Sequence, residues 1–215
     1  VQPQYEHVFR DQDRGDLKII TSIEREKTVA EREMIALGNT VLNQLRENLG
    51  LPPFEVPEKN VHIIPEQEWP EKDKRGRFRQ PLQAIVVRDE HNPLRMGHAL
   101  LHELTHFHSY QAADVDATRA HDYRLGTVVV RRDTREHALN PLNEGITETI
   151  TKQLFQPLVH HPLFVAAHQQ YLREREADPN ARSRSGPLFT EDSYAADIRM
   201  TSSGKEDLVV ASFTY

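Results

Sequence analysis

Apolar positions change their spacing along the chain, and each change predicts an element. The opening residues are polar and irregular except for "LKIIT", Leu17 to Thr21, which predicts a short strand. From Ser22 to Leu49, apolar residues at Ile23, Val29, Ala30, Met34, Ile35, Leu37, Val41, Leu42, Leu45 and Leu49 recur three and four apart, the stripe of one long packing helix. Thr21 with Glu24 supplies a capping-box start, and Gly50 before Leu51 and Pro52 supplies a stop. Val61 to Ile64 predicts a strand, and the basic run "KDKRGRFR" after it reads as the solvated tip of a hairpin connection. "LQAIVVR", Leu82 to Arg88, is β-branched and short, the clearest strand signal in the chain.

Three further segments follow. Asn92 and Pro93 open a helix through "HALLHELTHFHS", Asn92 as its cap and Pro93 in its first turn. "YRLGTVVVRR" predicts a strand or hairpin, and Asn140-Pro141 repeats the helix start signal before "LNEGITETITKQLF". Beyond it, "HHPLFVAAHQQYLRERE" predicts a helix, "ADPNARSRSGP" a loop, and the last stretch a hairpin turning near Gly204. There is no internal repeat. The alternation of helix and strand signals over 215 residues predicts one α+β domain.

Composition narrows the functions open to this fold. No apolar run approaches the roughly 18 residues of a membrane span, so no membrane partner is expected. The formal charge is -6, from 33 acidic and 27 basic residues interspersed along the chain, so no nucleic-acid partner is expected either. The absence of cysteine excludes disulfides, thiolate ligands and cysteine nucleophiles. A start at Val1 with no charged-then-apolar segment fits a cytoplasmic protein, a processed secreted one or a trimmed chain, with cytoplasmic the working expectation.

The chemistry concentrates at His102-Glu103-Leu104-Thr105-His106, an HExxH pattern on a predicted helix. Two histidines four apart share a face, so both imidazoles reach one ion, and Glu103 beside them can lean over a water at that ion. Leu100, Leu101, Leu104 and Phe107 supply the opposite, packing face. A catalytic zinc takes three protein ligands and keeps a fourth position open, so one more is required. "LNEGITETIT" supplies it: Glu144 and Glu148 lie four apart on a second helix, where one carboxylate can bind metal while the other supports it, and Glu148 fits the supporting role. His98 and His108 are expected to line the cleft rim, and the consecutive His160-His161 pair, at a helix start, receives no role.

HExxH followed by a helix bearing Asn-Glu-x-x-x-acid resembles the gluzincin metallopeptidases, the thermolysin-like class, and "HELTH" with "LNEGITE" is similar to small minimal gluzincins. The resemblance covers roughly residues 82 to 154. It implies a zincin-like domain in which a small mixed sheet backs the HExxH helix, with a catalytic core over about 82–155 and a C-terminal appendage over 157–215. It further implies one Zn2+ held by His102, His106 and Glu144, Glu103 as general base, Glu148 as partner of His102 and Asn143 supporting His106. The strand at 82–88 becomes the edge along which a peptide substrate lies. An oxyanion donor is also implied, with Tyr123, His121, His137 and Tyr194 as candidates. The segment from Ser109 to Asn140 is longer than the family's spacer and is expected to form a lid, a wall or a latch over the cleft. Two other outcomes stay open: a catalytically silent zinc-binding sensor, or a helical module whose motif arose by chance.

Overall fold

The Thr-x-x-Glu start signal occurs twice, at Thr21–Glu24 and at Thr28–Glu31, and tertiary contacts decide between them. In the computed structural model, which describes residues 14–70, 74–80, 82–115, 120–130 and 137–177, a first helix α1 runs Arg14–Ile23 and the long helix α2 runs Val29–Asn48. The capping box belongs to Thr28 and Glu31, not to Thr21 and Glu24. Glu24 is engaged elsewhere, its Oε2 2.7 Å from Nδ1 of buried His62, and the Arg25 N–H donates to the Ile63 carbonyl at 3.0 Å, which pulls the chain out of helix. "LKIIT" is therefore helical rather than a strand. Leu17, Ile20 and Ile23, three apart, are half-buried while Ile19 is 61% exposed, which is a helix's period. At the far end of α2, Gly50 takes φ 72° and donates to Glu47 O, and Leu51 N–H reaches back to Arg46 O, the paired bonds of a Schellman stop.

Three strands, β1 (Val61–Ile64), β2 (Gly76–Arg79) and β3 (Ala84–Arg88), form a sheet in the order β1-β3-β2, with β1 parallel and β2 antiparallel to β3. Two expectations change here. The basic run is no solvated tip, because Gly76–Arg79 is a strand of this sheet. The 82–88 segment yields the central strand, not the edge; β2 takes the outer position. Ile85 and Val87 face the HExxH helix α3 (Pro93–His108), whose Leu100, Leu101, Leu104 and Phe107 join Met34, Ile35 and Leu42 of α2 in one core. Asn92 Oδ1 accepts from the Leu94 and Arg95 N–H groups with Pro93 in the first turn, as its sequence signal predicts.

The 109–140 segment builds a second, antiparallel sheet, β4 (Gln111–Val115), β5 (Ala120–Leu125), β6 (Val128–Val130) and β7 (His137–Ala138), in that order. Helix α4 (Asn140–Phe155) follows, but Asn140 is its first residue and not its cap; Leu139, at φ 64°, occupies the capping position with no side-chain bond. The segment after Phe155 is not an appendage where it is described. A 3-10 turn at Gln156–His160 and helix α5 (Val165–Ala177) place Val159, Phe164 and Tyr171 in the main core, with Phe164 5.1 Å from Phe155 ring to ring. His160 accordingly lies in that turn rather than at a helix start. The loop and hairpin expected beyond residue 177 lie outside the described residues. Among the described residues, no helix is long and apolar enough to cross a membrane.

Arg25 ties three of these elements together. Its guanidinium bonds Glu31 Oε1 and Oε2 at 2.6 and 3.0 Å and Asp89 Oδ2, just after β3, at 2.7 Å. Burial opposes charge on Glu31, yet the bonds from Arg25 and from the Thr28 N–H outweigh it and hold the carboxyl below its ordinary range. The Arg25 bond holds Asp89 low as well. Arg25→Met is expected to cost about 2 kcal/mol at neutral pH in a denaturant titration. Because both carboxyls are depressed, the Arg25 contribution is whole above their unfolded values near pH ~4 and fades as pH falls through the lower folded values. The gap between wild type and variant should therefore close in acid.

Candidate metal centre

Helix geometry alone puts His102 and His106 on one face, and α4 crossing α3 brings Glu144 to them. Nε2 of His102 lies 3.1 Å from Nε2 of His106, and Oε2 of Glu144 lies 3.4 and 3.3 Å from the two. A tetrahedral ion with bonds of about 2.0–2.1 Å holds its donors about 3.3 Å apart, so the triangle has the size such an ion requires. Both imidazoles are buried, while the Glu144 side chain is 34% exposed and opens the triangle toward a cleft of ≈ 470 Å³. These three residues form a group able to hold a metal ion.

The supporting contacts fix which nitrogen faces that point. Nδ1 of His102 lies 3.1 Å from Glu148 Oε2, and when Nε2 binds a metal the proton sits on Nδ1 and is donated to that carboxylate. Glu148 also lies 3.4 Å from His98 Nε2 and 3.4 Å from Lys152 Nζ. His98 is buried and lines the cleft, as expected of it. Nδ1 of His106 lies 3.4 Å from both Asn143 Nδ2 and Thr147 Oγ1. The Thr127 N–H donates to Asn143 Oδ1 at 3.0 Å and so turns the amide's NH2 toward His106. When Nε2 binds metal, Nδ1 carries the proton, and the Thr147 hydroxyl is the acceptor available to it. Asn143 is better described as the strut linking α4 to the β5–β6 turn. At that turn Gly126 has φ 56°, and a Cβ there would stand 2.2 Å from Asn143 Oδ1.

Burial alone would keep His102 neutral, but the Glu144 and Glu148 carboxylates outweigh it and raise the imidazole to about 10. Burial opposes ionisation of those carboxylates too, and the histidines overcome it, holding both well below the usual range. The cluster therefore attracts a cation, and a divalent metal competes with protons for the same lone pairs. Burial pushes the Glu103 carboxyl up, against the pull of His102 and His106 and of a hydrogen bond from the Phe78 backbone.

Gly76 and Phe78 of β2 hold Glu103 in place, a function that sequence reasoning missed. A Cβ at Gly76 would lie 2.6 Å from Glu103 Oε1 and 2.7 Å from its Cγ. The available signal was a glycine inside a run of large residues, which marks close backbone approach in a strand. Thr147 was also legible, being one turn from Asn143 and Glu144 on α4. Gly76→Val should displace the Glu103 carboxylate while leaving the donor triangle intact, so metal content measured by elemental analysis should stay unchanged.

Of the remaining candidates, His121 and Tyr123 fall on β5 and His137 on β7, while their side chains, and Tyr194 altogether, lie outside the described residues. His108 stays outside the donor triangle, its ring edge-on to Phe54 at 5.3 Å. Leu125, at the end of β5, lines the cleft, so the second sheet supplies part of its wall. Comparisons of the chain with protein-family models, with curated proteins and with solved structures find no match.

Proposed function

We propose that this chain is a zinc-dependent peptidase with a zincin-type centre of the gluzincin kind. The observation that carries the proposal is the donor triangle of His102, His106 and Glu144, set beside a glutamate that is not itself a ligand and opening on a cleft. Two imidazoles and one carboxylate suit zinc, and three protein ligands leave a position for water or substrate. Bound there, zinc supplies Lewis acidity, polarising a carbonyl and making water nucleophilic near neutral pH.

The chain's own residues do the rest. Glu103, steadied by the Phe78 backbone and the Gly76 contact, accepts a proton from the attacking water and delivers it to the departing amine nitrogen. Glu148 and Thr147 fix the orientation of the two imidazoles. β2, the outer strand of its sheet among the described residues and a lining element of the cleft, offers its outer edge to an extended peptide, the role first expected of residues 82–88. Cleavage of an unbiased peptide library by the zinc-loaded protein, lost on chelation and restored by zinc, tests the proposal. Bound zinc with no cleaved peptide would make the chain a zinc-binding sensor instead.

A further inference from the structure

The β2 edge carries an unusual charge for an acidic protein. Arg75 precedes Gly76, whose Cα lies against Glu103, and the Arg75 carbonyl accepts from the Arg88 N–H at 2.7 Å. Both arginines line the cleft, the Arg75 side chain being 32% exposed and that of Arg88 18%. On α3, Arg95, Ala99 and Glu103 are spaced four apart, which places Arg95 on Glu103's side of the helix, about two turns before it. Arg95 Nε is buried with no hydrogen-bond partner among the described residues. Burial, together with the nearby Arg95 and Arg88 charges, presses Arg75 below its ordinary value against the pull of Glu90.

The charges here do not balance. Glu90, with a side chain 6% exposed, bonds Arg88 at 2.9 Å through Nε and stands 3.9 Å from Arg75. Glu148, the other carboxylate acting on Arg75, is committed to His102 and Lys152. Among the described residues, Glu90 is thus shared by the Arg88 and Arg75 guanidiniums, with the Arg95 charge nearby, which concentrates positive charge at one end of a cleft in a chain of formal charge -6. A purely structural ion network would pair its members, since unpaired buried charge is costly. Guanidinium groups suit bidentate binding of carboxylates, and a ligand carboxylate would bring this cluster close to neutrality.

We infer that Arg75 and Arg88, which line the cleft beside the Arg95 charge, form a carboxylate subsite, which, on the peptidase reading, selects substrates with an acidic group within about two residues of the bond cut. The spacing follows from the chain: Arg75 is next to the glycine that touches Glu103, and an extended peptide advances about 3.3 Å per residue. The carboxylate comes either from an aspartate or glutamate side chain or from the substrate's own C-terminus.

The experiment measures equilibrium binding, by fluorescence polarisation, to the zinc-loaded 215-residue chain carrying Glu103→Gln. The probes are a peptide with one internal glutamate and an amidated C-terminus, its glutamine twin, and that neutral twin with a free C-terminal carboxylate. At least one acidic peptide should bind about tenfold or more tightly than the neutral amide at low salt, less so as salt rises. Which acidic peptide gains identifies the source of the carboxylate. Arg75→Glu should abolish or reverse the preference, Arg75→Lys should keep part of it, and Arg88→Gln should weaken it. Equal binding of acidic and neutral peptides, or a preference untouched by Arg75→Glu, overturns the subsite. Cleavage by wild type without acidic preference would also overturn it while leaving the peptidase reading intact. Arg75-dependent acid binding with no cleavage by wild type would support the subsite and remove the peptidase reading.

Discussion

Glu103→Gln is expected to keep one zinc per chain and to lose about 1,000-fold or more in kcat/KM toward any peptide the wild type cleaves. The substitution preserves shape. An amide oxygen still accepts the bond from the Phe78 backbone, and the side chain still packs against Gly76, so the donor triangle is undisturbed. What disappears is a group that can take a proton and give it back. A positioned general base or acid contributes about 100- to 10,000-fold, and Glu103 is assigned both transfers, which places the expectation in the upper part of that range. Zinc content by elemental analysis and steady-state kinetics on the same preparation decide the matter. Retained zinc with more than a tenth of wild-type activity would mean that another group handles the proton.

The part of this site legible in the sequence is the part built from helix periodicity. HExxH and Glu144-x-x-x-Glu148 each encode their own geometry, because residues four apart on a helix are neighbours wherever the helix lies. That logic also gave Glu148 a supporting role, since ligand histidines characteristically donate to a carboxylate, while its pairing with His102 came from the gluzincin resemblance. Strands carry no equivalent information about their neighbours. "QAIVVR" announces a strand but not whether one or both of its edges are paired, and the pairing with "GRFR" made it central. "KRGRFR" itself alternates large basic residues with Gly76 and Phe78, a pattern as natural for a polar loop as for a strand whose other face carries a glycine against Glu103. The start of α2 failed for a different reason. Thr21–Glu24 and Thr28–Glu31 are equivalent local signals, and the choice depends on His62 and Ile63, some forty residues away, claiming Glu24 and the Arg25 backbone. The core role of Phe164 and Tyr171 was hidden because α5 shows little amphipathic contrast outside these anchors. Contact with Gly97, where a Cβ would meet the Phe164 ring at 2.5 Å, and with the Phe155 ring fixes the position of Phe164.

Metal binding should also be visible as stability, because the donor triangle exists only in the folded chain. In zinc-free protein, His102, His106 and Glu144 crowd three metal-ligating atoms within 4.8 Å of one another, and nothing in an unfolded chain reproduces that arrangement. A ligand that binds only the native state, present at about 1,000 times its Kd, adds about 4 kcal/mol. For a chain of this length that corresponds to a rise in Tm of about 8–16 °C between chelated and zinc-loaded protein. His106→Ala and Glu144→Ala should each remove most of that rise and most of the bound zinc. Glu148→Gln separates ligand from support: zinc affinity should fall about 10- to 100-fold while stoichiometry at saturating zinc stays at one. Differential scanning calorimetry with and without chelator, paired with elemental analysis, reads all of these together. A zinc-dependent Tm shift unchanged by His106→Ala and Glu144→Ala would place the metal somewhere other than this triangle, and the catalytic proposal would lose its foundation.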